Sequence, residues 1–167
     1  YDFFQGEHAG YSNFFRDLIV ERCIFFDKWS YVWIITDRLK HCDHLDPDAM
    51  VSVYFHLNDL DYEVLDHESR SVRLPDGNSL ASCNILMGPE DIQAEKSIRV
   101  QSQDASIVIS SMRGNDMSVS IDQGWVSTSY GIRKPAPIVT FSRPFQGQHE
   151  FTFIIEGFVG GKKPCAE

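Results

Sequence analysis

Short apolar segments, separated by turn residues, are the feature of this sequence that most restricts its fold. Between Ala49 and Leu57 the side chains of Val51, Val53 and Phe55 alternate with more polar neighbours, and 149–158 alternates in the same way. A period of two places alternate side chains on opposite faces of a β-strand. Turn signals recur roughly every 8–12 residues, and no long amphipathic helix is evident. The sequence therefore predicts an all-β fold, an antiparallel β-sandwich of about ten short strands.

Two of the predicted strands are apolar along most of their length. Leu18–Phe26 and Trp29–Asp37 flank the polar dipeptide Asp27-Lys28, which indicates a hairpin. Near-continuous hydrophobicity in both strands predicts burial on both faces. We interpret the chain, which starts at Tyr1 without an initiator Met, as a fragment of a larger multi-sheet β region. A dimer through edges left open on these two strands is a further hypothesis.

The remaining strands are shorter. Residues 1–15 are expected to be irregular with room for one short strand, and residues 91–100 fit a helical turn or a strand, of which we favour the strand. Pro75-Asp76-Gly77-Asn78 predicts a turn. No linker or repeat is evident, so residues 1–167 are predicted to form one domain with a flexible tail from about residue 160. Further strands are predicted at Tyr62–Asp66, Ser71–Leu74, Leu80–Met87, Ile107–Ile109 and Met117–Ile121.

The stretch from Ser129 to Phe141 reads as a bend followed by a strand. Gly131 can adopt backbone angles that other residues avoid. Pro135 and Pro137 lack an N–H donor, so we expect them before the strand or on a sheet edge. The strand itself is predicted to start at Ile138.

The charge of the chain is acidic. It has 15 Lys and Arg against 24 Asp and Glu, a formal net charge of -9. This balance argues against nucleic acid and against anionic membranes as partners. It also argues against a heavily sulfated glycan held by this chain alone, although one basic groove can exist on an acidic domain. No run of 18 or more apolar residues occurs, so no membrane-spanning helix is expected.

The four cysteines are far apart in the sequence. Cys23, Cys42, Cys83 and Cys165 contain no Cys-x-x-Cys pair, which argues against a zinc ribbon or a thioredoxin-like site. One or two disulfides are consistent with an exported protein. Buried or free thiols are the alternative.

Three segments resemble a known enzyme family. Tyr130-Gly131-Ile132-Arg133-Lys134-Pro135-Ala136-Pro137 is similar to the Tyr-Gly-x-Arg-x-Pro-Ala-Pro signature that occurs late in the heparinase II/III-like polysaccharide lyases. Cys23–Phe26 followed by Trp29–Leu39 resembles the paired strands of that family, and Val53–Leu57 resembles its next strand. The order of the segments matches the family and spans roughly Tyr11 to Phe158. The resemblance implies the C-terminal part of the β-sandwich region of such an enzyme.

The resemblance also implies what this chain lacks. Lyase chemistry on a uronic acid needs a base, an acid for the leaving oxygen and a group that neutralises the carboxylate. In the family these residues lie on an upstream helical toroid and in the first half of the β region, whose Gly-His-x-His-like motif is missing here. We therefore assign no catalytic residue and no cofactor, and whether this chain is itself an enzyme stays open. The implied partners are the upstream toroid and β region and an acidic polysaccharide, and an exported location is implied.

Tyr130 and Arg133 are the candidate glycan-binding residues. Arg pairs with a carboxylate through two hydrogen bonds, and Tyr stacks on a sugar ring. The alternative is that Arg133 pairs with a nearby acidic residue and that Tyr130 fills the sandwich edge.

Other residues receive structural roles by default. No metal site is expected, although His41, Cys42 and His44 form an alternative zinc-binding set, because all three are zinc ligand types. His56, on a predicted strand beside Phe55, is interpreted as structural. The three tryptophans form a sugar platform or pack in the core, and we favour the core. The tryptophans are Trp29, Trp33 and Trp125.

Three functions compete on the sequence alone. The first, which we favour, is a non-catalytic C-terminal module of a heparinase II/III-like polysaccharide lyase that supports the catalytic region and lines the glycan cleft. The second is an independent carbohydrate-binding module, which exposed aromatic side chains favour. The third is a structural or assembly domain, which large apolar patches at open edges favour.

Overall fold

The computed structural model describes residues 1–57, 63–65, 70–72, 92–101, 105–112, 116–147 and 149–160. The described residues form β-strands and turns, with no helix among them, so the predicted all-β class is confirmed. Eleven strands lie within these ranges. They are β1 (Asp2–His8), β2 (Ile19–Asp27), β3 (Val32–Lys40), β4 (Met50–His56), β5 (Glu63–Leu65), β6 (Arg70–Val72), β7 (Ile92–Gln101), β8 (Ala105–Met112), β9 (Ser118–Ser129), β10 (Ile132–Pro144) and β11 (Glu150–Val159).

The described strands form two antiparallel sheets. The large sheet has the order β1-β2-β3-β11-β8-β7-β5, and β6 also pairs with β7. The small sheet has the order β4-β10-β9. Every described pairing is antiparallel, as the alternation in the sequence predicts.

The core lies between the inner faces of the two sheets. Phe153 of the large sheet lies 5.2 Å from Phe141 and 5.3 Å from Phe55 of the small sheet, measured between ring centroids. Edge-to-face contacts of this kind add to the burial of apolar surface. Val51, Val53 and Phe55 all face this core, so the predicted face of β4 is confirmed. The buried members of the core are Ile35, Val53, Ile98, Ile109, Met117, Val139, Phe141, Phe151 and Phe153.

The β2–β3 hairpin confirms one expectation and corrects two others. Both faces of these strands are buried at many positions, as predicted. The turn is longer than predicted, because β2 continues to Asp27 and residues 28–31 form the loop, which places Trp29 in the turn and off the strand. The two strands also lie inside the sheet, between β1 and β11, so they present no open edge. Among the described strands, β1 holds that edge.

Some of the other predicted strands are found in the structure, and others lie outside the described residues. The strand at 91–100 is confirmed as β7, and the short strands predicted at Tyr62–Asp66 and Ser71–Leu74 correspond to β5 and β6. β1 occupies much of the segment that the sequence predicts to be irregular with room for one short strand. The turn at Pro75–Asn78, the strand at Leu80–Met87 and the tail from residue 161 lie outside the described residues.

A cluster of charges stabilises the β1-β2-β3 part of the large sheet. The carboxylate of Glu21 accepts hydrogen bonds from Lys40 Nζ at 2.6 Å, Gln5 Nε2 at 2.9 Å and Arg38 Nη1 at 3.2 Å. These bonds, the one from Lys40 foremost, lower the pKa of Glu21 from 4.5 to about 2. Because these donors come from both neighbouring strands of β2, the carboxylate links three strands.

A second ion pair lies on the opposite face of the same strands. Arg22 donates two hydrogen bonds to Asp37, at 2.6 and 2.7 Å, and Asp37 is almost fully buried. The bidentate geometry compensates for the lost hydration of the carboxylate.

No helix within the described ranges has the length and apolar character that a membrane crossing requires.

Candidate functional site

The outer half of the β9–β10 hairpin extends beyond the rest of the small sheet. β4 pairs with β10 only from Ile138 to Pro144, and its last paired residue is His56. Residues 123–137 therefore form a two-stranded ribbon that has no third strand among the described residues, and we call this ribbon the arm. Most of its side chains are exposed. A two-stranded ribbon is marginally stable alone, so contacts within the arm matter for its order.

The tip of the arm is the bend that the sequence predicts. Gly131 has a φ of 74°, in the left-handed region that glycine adopts without steric cost. Tyr130, the residue before it, is fully exposed. The tyrosine therefore does not fill an edge of the sandwich, and its ring and hydroxyl face solvent.

Arg133 stacks on an exposed tryptophan. Trp125 pairs with Pro135 across the hairpin, and Arg133 lies two residues before Pro135, at an irregularity of the register between Ile132 and Lys134. The guanidinium carbon of Arg133 lies 3.9 Å from the centre of the Trp125 ring, which is a cation–π contact. Trp125 is nevertheless 52% exposed. The alternative pairing of Arg133 with a local carboxylate is not seen among the described residues.

The stack orients Arg133 for a second interaction. A guanidinium that rests its face on an aromatic ring keeps its N–H donors at its edge, where they can bind a carboxylate with two hydrogen bonds. The arm itself supplies no such carboxylate, because residues 123–137 contain no Asp or Glu but carry Arg133 and Lys134. In a chain with a net charge of -9, the arm is thus a local basic and aromatic surface.

Gly124 allows close packing at the base of the arm, and Pro135 and Pro137 lie along its open edge. A Cβ on Gly124 would lie 2.5 Å from Cγ1 of Ile138 on the neighbouring strand, so the position admits only glycine without rearrangement. Pro137 accepts a hydrogen bond from the N–H of Leu57 through its carbonyl oxygen, at 3.0 Å. Pro137 and Pro135 therefore turn their missing donors toward the open edge of β10, which blocks further strand addition there.

The sequence identifies Tyr130 and Arg133 as candidate binding residues of the arm, but it assigns Trp125 to the core. Tyr130 and Arg133 both lie on the arm, as expected from the bend. Trp125, which the sequence assigns to the core, is instead exposed. The signal that identifies Trp125 is the hairpin itself, since a turn at Tyr130-Gly131 brings Trp125 alongside Pro135 and Arg133. β10 starts at Ile132, whereas the sequence predicts that the strand starts at Ile138. The two prolines therefore lie within the strand.

The histidine-rich loop after β3 does not bring its three candidate ligands together. Cys42 is buried beside Leu18 and Phe145, while His41 and His44 line an open depression of about 460 Å³ with Arg16, Asp17 and Asp43. Within the described ranges, no group of three or more His, Cys, Asp or Glu side chains is arranged to hold a metal ion. His56 lies at the end of β4 and is exposed.

The buried thiols have structural surroundings. Cys23 and Cys42 are free, and Cys83 and Cys165 lie outside the described residues. Sγ of Cys42 lies 2.8 Å from Nδ1 of His149 and 3.4 Å from the carbonyl oxygen of Leu39. Burial raises the pKa of both thiols above its ordinary value. A raised pKa makes a thiol less reactive than an ordinary cysteine.

Comparison of the chain with protein-family models, with curated proteins and with solved structures finds no match. The resemblance to the heparinase II/III-like lyases therefore stays a prediction from the three sequence segments.

Proposed function

We propose that this chain is a non-catalytic β-sandwich module of a heparinase II/III-like polysaccharide lyase, and that its arm binds the acidic polysaccharide on which the parent enzyme acts. The parent reaction is β-elimination at a uronic acid, carried out by an upstream toroid and β region. The module supports that region and contributes one wall of the glycan cleft.

The stack of Arg133 on Trp125 is the observation that carries this proposal. A uronic acid residue offers a carboxylate and, on each ring face, C–H groups with partial positive charge. The guanidinium edge matches the carboxylate, and the negative face of an aromatic ring matches the C–H groups. Arg133, Trp125 and the fully exposed Tyr130 present both kinds of group on one projecting ribbon. With the single guanidinium of Arg133 on its aromatic ring, this surface suits a singly charged uronate better than a heavily sulfated chain.

An independent carbohydrate-binding module is the second candidate, and the exposure of Trp29 and Trp125 favours it. The two candidates differ in what the isolated chain can do. An independent module binds glycan tightly by itself, whereas one wall of a shared cleft binds weakly until the upstream region is present. A structural or assembly domain, the third candidate, binds no glycan in either setting.

Calorimetric titration tests the proposal. The chain is titrated with alginate, hyaluronan and polygalacturonate as unsulfated uronates, with heparin as a sulfated chain and with dextran as a neutral one. We expect binding to the uronates that weakens with added salt, and none to dextran. Arg133→Gln should weaken binding about tenfold, the effect of losing a two-pronged contact to a carboxylate.

Arg16→Gln is the matched control, because it removes one positive charge from an exposed loop outside the arm. It should change the affinity by less than about twofold. An equal loss of affinity in the two variants would show that the effect comes from the net charge of the chain, and it would count against the arm as the binding site. Absence of uronate binding, with the arm intact and with the upstream region supplied, would overturn the proposal.

A further inference from the structure

The loop between β2 and β3 places large aromatic residues where turn chemistry favours small ones. Tyr31, the fourth and last loop residue, has a φ of 51°. This left-handed conformation is common for glycine and asparagine and costs energy for a bulky side chain. Tyr31 is nevertheless 40% exposed, and Trp29 in the same loop is 67% exposed. An unfavourable residue choice kept in an exposed turn points to a role outside folding.

The loop is held in one shape. The carboxylate of Asp27, which is almost fully buried, accepts a hydrogen bond from the N–H of Trp29 at 3.1 Å and another from the hydroxyl of Ser30. The N–H of Gly157 on β11 donates to the carbonyl oxygen of Tyr31 at 3.0 Å. The two aromatic side chains are therefore presented from an ordered backbone, which lowers the entropy cost of binding.

More aromatic surface lies behind the loop. Phe26 and Trp33 pair across β2 and β3 and stack with their centroids 4.3 Å apart and their planes 9° from parallel, and the edge of Tyr31 approaches Phe26 at 6.3 Å. Gly157 lies beneath Trp33 and Tyr31, so no side chain at this position of β11 separates these rings from the sheet. Phe26, Trp29, Tyr31 and Trp33 form what we call the turn aromatic patch.

The patch and the arm belong to the same end of the sandwich. Both continue the inner faces of their sheets, because residues an even number apart on a strand share a face. Trp33 is two residues from Ile35, and Trp125 is four residues from Ile121, and both isoleucines pack in the core. At one level of the core, Phe145 packs near Leu39 and His149. Four residues earlier in the chain, Phe141 packs against Phe153, which pairs with Ile35. Continued by four more residues, this progression brings Pro137 and its partner Gln123 toward Tyr31 and Gly157, and the Trp125–Pro135 pair lies two residues further out on the arm.

We infer that the turn aromatic patch is a second saccharide-binding surface, and that it contacts sugar units of the same uronate chain further along from the unit held by Arg133 and Trp125. The inference rests on the proposed function. The arm supplies the contact to the carboxylate, and the patch supplies aromatic faces for the apolar side of neighbouring pyranose rings. Lys28, the one basic residue in the loop, is already paired with Asp2 at 2.8 Å. The patch thus favours stacking over charge pairing.

Oligosaccharide length separates the two surfaces. The whole chain is titrated with a disaccharide and an octasaccharide, each of alginate and of hyaluronan. We expect the variant Trp29→Ala/Tyr31→Gly to bind the octasaccharide about tenfold more weakly than the unmodified chain and the disaccharide within about twofold of it. Because Tyr31→Gly relieves the left-handed strain, the melting temperature of that single variant should be unchanged or higher. It is titrated beside the double variant, so weaker octasaccharide binding by the single variant cannot be attributed to unfolding.

Tyr54→Ala is the control, since Tyr54 is 56% exposed but lies on the outer face of β4. It should bind both lengths as the unmodified chain does. Octasaccharide binding that depends on Arg133 and not on the patch would overturn this inference and leave the proposed function standing. Failure of both oligosaccharides to bind at all, also with the upstream region supplied, would overturn both.

Discussion

Replacement of Glu21 by glutamine should weaken the large sheet in a way that depends on pH. Glu21→Gln keeps the size of the side chain and its hydrogen bond from Gln5, but removes the charge that Lys40 and Arg38 face. The pKa of Glu21 is lowered from 4.5 to about 2, chiefly by the hydrogen bond from Lys40. A shift of this size corresponds to about 3 kcal/mol. Because the ammonium of Lys40 is partly exposed, screening by solvent reduces the expected loss to about 1–2 kcal/mol.

The sign of the pH dependence follows from the direction of the shift. A carboxylate whose pKa is lower in the folded state stabilises the fold fully above its unfolded pKa and loses that contribution as the pH falls through its folded pKa. The difference in unfolding free energy between Glu21→Gln and the unmodified chain should therefore be complete at pH 7. It should shrink between about pH 4.5 and pH 2. Other carboxylates titrate in both proteins, so their contributions cancel in the difference.

Urea denaturation followed by tryptophan fluorescence at pH 7, 5, 4 and 3 measures this difference. Equal stability of the two proteins at pH 7 would show that the cluster contributes nothing. A difference that stays constant down to pH 3 would show that the lost stability comes from packing and not from charge.

Three further substitutions test the core, the base of the arm and the buried ion pair. Phe153→Ala should cost about 3–5 kcal/mol of unfolding free energy, because Phe153 is fully buried between the sheets, and Phe153→Leu should cost less; chemical denaturation checks both. Gly124→Ala should cost about 1–3 kcal/mol, because its Cβ meets Ile138, and its effect should be seen in amide exchange across the arm. Arg22→Ala should cost about 3 kcal/mol by leaving the buried carboxylate of Asp37 without its partner, whereas Arg22→Ala combined with Asp37→Asn should recover part of that loss in the same denaturation assay.

The sandwich is predictable from the sequence where burial alternates along a strand. β4 follows the alternation of its apolar residues, because one set of side chains must reach the core, whereas β11 is buried on both faces although its sequence alternates. β1 is not predictable in this way, since an edge strand exposes most side chains and its sequence carries no period; it is defined by backbone pairing with β2. The length of the β2–β3 loop escapes prediction for a similar reason, because hydrophobicity does not distinguish a tryptophan in a turn from one on a strand.

The candidate site is predictable in part. The bend at Gly131 follows from local backbone preferences, and these are enough to place Tyr130 and Arg133 at a turn. Exposure of Trp125 depends on where β4 stops, which is a property of the whole small sheet. The default assignment of tryptophan to the core therefore fails where a third strand is missing from the described part of the sheet.

The most direct measurement of the central claim is a titration followed by the indole N–H signals of the three tryptophans in a two-dimensional nitrogen–proton spectrum, assigned through single Trp→Phe variants. With a uronate oligosaccharide, the account predicts that the Trp125 signal shifts in a saturable way and that dextran leaves it unchanged. A uronate that binds by calorimetry while the Trp125 signal stays fixed would place the binding site elsewhere and contradict the account.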